Sequence, residues 1–81
     1  MKGDPSELAS FMAAVGPESV KDFAKACDTT VKVLEALAKS DDPNPSARLA
    51  LNIEAYSCSL AKYTSRVPIV RARKLCGAKE F

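Results

Sequence analysis

The chain has 81 residues, a net charge of +2, three cysteines and no histidine. That length holds one domain and one small core, which rarely supplies more than roughly 3–5 kcal/mol without a staple; an odd cysteine count, with no signal-peptide pattern at Met1-Lys2-Gly3-Asp4, argues against disulfides and predicts reduced thiols in a cytosolic setting. Cys27, Cys58 and Cys76 stand too far apart to chelate zinc, and no apolar run reaches the roughly 20 residues of a membrane span, so no cofactor and no membrane span are expected and oligomerisation is left as the staple.

Asp4-Pro5-Ser6-Glu7 carries the chemistry of a helix start: Asp as N-cap, Pro at the first helical position, and Glu three residues after the cap to reach back. The helix predicted over 5–15 shows Leu8, Phe11, Met12 and Val15 on one face and closes at Gly16, which can turn left-handed. Pro17 opens a second helix, predicted over 17–39, where Val20, Ala24, Cys27, Val31, Leu34 and Ala38 recur at alternating steps of four and three, widened by Phe23 and Leu37. The segment 40–46, with Asp41-Asp42-Pro43-Asn44-Pro45, cannot continue a helix and reads as the turn of a hairpin.

Asn44 is predicted to cap a third helix over 45–66, in which Leu49, Ile53, Tyr56, Leu60, Tyr63 and Val67 repeat the same spacing. Pro68 opens a last helix over 68–76 with Ile69, Ala72 and Leu75 inward, and Gly77 stops it. The fold class is therefore all-α: one domain over 1–81, an antiparallel hairpin of two long helices with short terminal helices. Val20, Phe23, Cys27, Val31, Leu34, Leu49, Ile53, Tyr56, Leu60 and Tyr63 are expected to form its core and its contact with a second copy. Two copies would complete a four-helix bundle.

Charge divides the chain. Through Pro45 five lysines accompany eight acids, whereas from Ser46 onward seven basic residues accompany only Glu54 and Glu80. Such asymmetry points to a nucleic acid, an anionic membrane surface or an acidic protein as partner. One residue earlier in register than the apolar stripe of the third helix, about 100° round its axis, lie Arg48, Asn52, Ala55, Ser59, Lys62 and Arg66. Arg48 and Arg66 would stand roughly 27 Å apart on one rod, with small hydrogen-bonding groups between them. That pattern suits the minor-groove face of A-form RNA, where phosphates flank exposed 2′-hydroxyls. Arg71, Arg73, Lys74 and Lys79 follow and could grip phosphates of an adjoining groove.

A polar outer side is the ordinary partner of an apolar stripe, and solvation alone would explain one. Against that, acids are nearly absent from this helix, although a merely soluble helix mixes signs. The flank Ala50, Ser57, Ala61 and Thr64 is also small, as a closely packed second helix requires. Catalysis has little basis: there is no histidine and no Gly-rich phosphate loop. Cys27 on the stripe and Cys58 beside it read as buried structural thiols, because a reactive thiol needs an accessible electropositive pocket.

The hairpin Asp42-Pro43-Asn44, followed by Arg48, Asn52-Ile53, Ala55 and Ser65-Arg66, resembles the RNA-silencing suppressors of nodaviruses, the B-two proteins, over residues 17 to 76. The resemblance implies a homodimeric four-helix bundle lying along double-stranded RNA, both long duplexes and siRNA. It further implies contact with phosphates and 2′-hydroxyls without sequence reading, in the host cytoplasm, shielding the duplex from Dicer, with Dicer itself a candidate partner. Carried over residue by residue, Arg48, Asn52 and Arg66 fall on RNA contacts and Lys74 on a basic position after the long helix; Ser59 stands where relatives carry lysine, and the helix over 5–15 has no counterpart in the pattern. From the residues alone two rivals stand beside this reading: a helical oligomerisation or adaptor module whose basic tail binds an acidic protein, and attachment to an anionic membrane through Val67 to Lys79.

Overall fold

A computed structural model describes residues 3–41, 43, 45–64 and 67–77. It contains five helices and no strand among those residues: α1 (Ser6–Val15), α2 (Pro17–Ala26), α3 (Val31–Lys39), α4 (Ala47–Ala61) and α5 (Ala72–Leu75). Asp4 Oδ1 accepts the Ser6 N–H at 2.9 Å, the capping bond expected of it. Glu7 does not reach back to the cap; its Oε1 accepts the Arg71 N–H at 3.2 Å instead. Gly16 separates α1 from α2 at φ 84°, ψ 164°, a region essentially reserved for glycine.

The helix expected over 17–39 is two helices. Cys27 to Thr30 break it: Asp28 turns left-handed at φ 56°, the Thr29 N–H reaches back to the Ala24 carbonyl at 2.9 Å, and the Asp28 N–H to that of Lys25 at 3.1 Å. Thr30 then takes an extended backbone and its hydroxyl oxygen accepts the Val33 N–H at 3.2 Å, capping α3. Asp and Thr favour such local bonds over continuing a helix. The apolar period survives the break because Cys27 and Val31 still face one interior.

The third helix is also shorter than 45–66. Ser46 caps it, its Oγ accepting the Leu49 N–H at 3.1 Å; Asn44, the expected cap, lies outside the described residues. At the other end the Lys62 and Tyr63 N–H groups bond three residues back, to Ser59 and Leu60 at 3.3 and 3.0 Å, so the last turn tightens and the 3.6-residue period stops. Tyr63, expected in the core, is consequently 85 % exposed. The last helix shrinks from 68–76 to four residues, with residues 68–71 outside any helix and Ile69 exposed, not inward. Ala72 and Leu75 are buried and Gly77, at φ 64°, ends the turn as expected.

These pieces close one core. Leu8 and Phe11 of α1, Phe23 of α2, Leu34 of α3 and Ile53 of α4 are fully buried, joined by Val67, Val70 and Leu75 of the C-terminal segment. Phe23 stacks on Tyr56 at 5.0 Å between ring centroids and meets Phe11 edge-on at 4.9 Å. α3 packs on α1 and α2, and α4 packs on α2 and α5. The radius of gyration is 11.2 Å, against about 12 Å for a compact chain of this length. The stripes that were expected to need a second copy are thus covered by α1 and by residues 67–76.

The C-terminal segment is held along its whole length. Val70 N–H donates to Ser57 Oγ at 2.9 Å, Ala72 N–H to Glu54 Oε1 at 2.7 Å, Cys76 Sγ contacts the Pro45 carbonyl at 3.8 Å, and Asp4 N–H donates to the Lys74 carbonyl at 2.9 Å. It runs antiparallel to α4, and a Cβ on buried Gly3 would overlap the Leu75 and Pro43 carbonyl oxygens where the two ends of the chain meet.

Candidate nucleic-acid interface

On a helix whose inner side carries Ile53, Ala50 and Ser57, the opposite arc must face solvent, and on α4 that arc holds the expected residues. Arg48, Ser59 and Ala55 are exposed, Asn52 is half-buried, and Lys62, at the C-cap, is exposed. Arg66 lies outside the described residues, and the helix expected to carry it ends at Ala61. The continuous rod therefore runs from Arg48 to Lys62, roughly 21 Å at about 1.5 Å per residue, not the longer span to Arg66. Leu51, 49 % exposed, and Cys58, also exposed, border this arc. Cys58 was expected to be buried, but it sits one step farther from the stripe than a core position allows.

The sole acid of α4 is turned away from the arc. Glu54 sends its carboxylate to the Ala72 N–H while Glu7 takes the neighbouring Arg71 N–H, so two carboxylates satisfy the first free N–H groups of α5. Of the exposed acids, Glu18, Asp22, Glu35 and Asp41 belong to α2, α3 and the turn that follows, and Asp28 lies in the turn between α2 and α3. Arg71 and Arg73 are exposed on the C-terminal segment, across the flank of α4 and not in line with Arg48. Lys74 is exposed too, but its ammonium pairs with Asp4 at 3.7 Å. Lys79 lies outside the described residues.

The small flank of α4 has an occupant from the same chain. Ala50 packs against Ala72 and Cys76, and Ser57 takes the Val70 N–H, so close approach there serves residues 67–76. Val67, Val70, Ala72, Leu75 and Cys76 are buried and Ile69 alone of the large apolar residues described there is exposed, which leaves little of the apolar surface that membrane attachment through Val67 to Lys79 would use. No helix among the described residues is long and apolar enough to cross a membrane.

No family model, curated protein or solved structure matches the chain. The site must be read from its own geometry.

One feature escaped the sequence reading. The turn between α2 and α3 opens beside the first turn of α4, and Cys27, Asp28 and Thr29 face Ser46, Arg48 and Asn52 across a shallow cleft of about 200 Å³. The signal was present in Asp28-Thr29-Thr30, three residues with strong capping preferences, but only the fold brings them to Arg48. Cys27 forms part of the lining and is buried; that burial pushes its thiol up to about 11, so it stays neutral and unreactive.

Proposed function

We propose that this protein is a viral suppressor of RNA silencing that binds double-stranded RNA without regard to sequence, shielding it from Dicer and from loading into silencing complexes in the host cytoplasm. The observation that carries the reading is the outer arc of α4: Arg48, Asn52, Ser59 and Lys62 share one solvent-facing side, while Glu54 is committed to the Ala72 N–H. A positive rod with small polar groups between its charges suits phosphates flanking 2′-hydroxyls. It acts by sequestration and not as an enzyme. In a homodimer, a second copy meeting the first along the exposed Leu51 and Cys58 would set two such arcs side by side.

The test is a gel shift with duplex RNA, single-stranded RNA and B-form DNA across a salt series. Duplex RNA should bind best. Its affinity should fall steeply as salt rises, because phosphates met by Arg48 and Lys62 release their counterions. Equal binding to all three ligands would remove the reading.

The half-exposed Leu51, with Val33 at 41 % and Ile69 at 37 %, favours a second reading: a helical oligomerisation or adaptor module that binds an acidic protein. Its mark is a stable protein complex without salt-dependent affinity for RNA.

A further inference from the structure

We propose that Asp28 is the residue by which this protein tells ribose from deoxyribose, through the cleft it shares with Arg48 and Asn52; the inference rests on the duplex-RNA reading above and adds a specificity element to it. The cleft is lined by groups of opposite sense. Arg48 can only donate hydrogen bonds and an ionised carboxylate at Asp28 can only accept them, with the Asn52 amide able to do both. Among the described residues the only ion pair is Lys74 with Asp4, so Asp28 and Arg48 line one cleft without a direct ion pair between them.

Asp28 is held there by the backbone. Its left-handed turn and the bond from the Thr29 N–H to the Ala24 carbonyl fix its place at the end of α2. Glycine or asparagine would satisfy that turn with less strain, and a negative charge just past the C-terminus of α2 opposes the helix dipole. The turn accounts for a short polar residue at position 28, as Asp or Asn, but it does not call for the negative charge.

A lone phosphate entering the cleft would meet Arg48 favourably and Asp28 unfavourably. A ribose carrying its 2′-hydroxyl beside a phosphate satisfies both: the phosphate oxygen accepts from Arg48 and the hydroxyl donates to Asp28. Deoxyribose brings the phosphate without the proton donor, leaving Asp28 to face a like charge with no hydrogen bond in return. The 2′-hydroxyl is the group by which proteins separate RNA from DNA.

Fluorescence polarisation with three duplexes tests this: RNA, the same RNA fully 2′-O-methylated, which keeps A-form shape but lacks the donor, and DNA. Wild-type protein should prefer RNA over its methylated counterpart by about tenfold, the scale of one charge-assisted hydrogen bond. Asp28→Gly, which suits the left-handed turn and should keep the helical circular dichroism, should bring that ratio to within about twofold. An unchanged ratio in Asp28→Gly, or equal loss of all three ligands, overturns the role of Asp28 while leaving duplex binding intact as a reading. Absence of RNA binding by the wild type would overturn both.

Discussion

The Ser57 hydroxyl stands between α4 and the C-terminal segment, donating to the Glu54 carbonyl and accepting the Val70 N–H, each at 2.9 Å, at a fully buried position. It is the single polar side chain in the interior described, and it supplies a partner to a backbone N–H that runs outside any helix. Ser57→Ala should therefore orphan the Val70 N–H and cost about 1–3 kcal/mol, the penalty for an unsatisfied buried donor. Urea denaturation gives the stability, and amide exchange at Val70 should accelerate with it; a change within error would mean that water or another group serves that N–H.

Thr30 bears on the one large error in reading the sequence. The residues on the four-and-three spacing from Val20 to Ala38, with Phe23 and Leu37 beside it, are buried or packed on the core, but spacing does not report continuity. It cannot distinguish one helix from two that turn a corner while facing the same core, and here Asp28-Thr29-Thr30 made the corner. Thr30→Ala should remove the Val33 N–H bond and lower stability by about 1 kcal/mol. If instead α2 and α3 fused into a single rod, the variant would gain helical circular dichroism, and the corner would be shown to depend on one hydroxyl.

The outer arc of α4 was legible for a related reason. Arg48, Asn52, Ser59 and Lys62 lie on one continuous helix, so one period placed them together. The cleft was not legible, because Asp28 reaches Arg48 only through the packing of α2 on α4, which no local pattern encodes. Tyr63 failed at the margin: the pattern carried it past the point where the helix tightened. Tyr63→Ser should change stability by no more than about 0.5 kcal/mol, as an exposed surface substitution does, whereas a core tyrosine would cost several times that in thermal or urea melts.

Two groups give stability a pH dependence of known sign. The Ser6 backbone N–H, together with Ser6's side chain and Lys74, holds the Asp4 carboxyl below its ordinary value; its contribution is present above the usual carboxylate range and is lost as pH falls through the lowered value. Burial raises the Cys27 thiol to about 11 from an ordinary 9.0; its contribution is complete below the ordinary value and declines as pH climbs from there through the raised one. Urea melts should show stability decreasing above pH 9.0, with thiolate absorbance rising in step with unfolding. Cys27→Ala should flatten that alkaline decline, and an undiminished slope would assign it to other groups.

Arg48, Lys62 and Arg73 separate the two basic regions of the chain. Arg48 and Lys62 sit at the ends of one rod on α4, while Arg73 projects from α5 on the other side of the Glu54 contact. Each charge that meets a phosphate contributes about one unit to the slope of log affinity against log salt. If duplex RNA lies along α4, Arg48→Ala and Lys62→Ala should each reduce that slope by about one unit and weaken all duplex sequences alike, without loss of helical circular dichroism. Arg73→Ala should have a smaller effect, because reaching both regions requires the duplex to wrap across the flank of α4. Arg66→Ala should remove most duplex binding while leaving helical circular dichroism unchanged; loss of folding would instead assign Arg66 a structural role. The reverse ranking, with Arg73 dominant and Arg48 silent, would move the interface to the C-terminal segment and leave the outer arc of α4 as a solvated helix face.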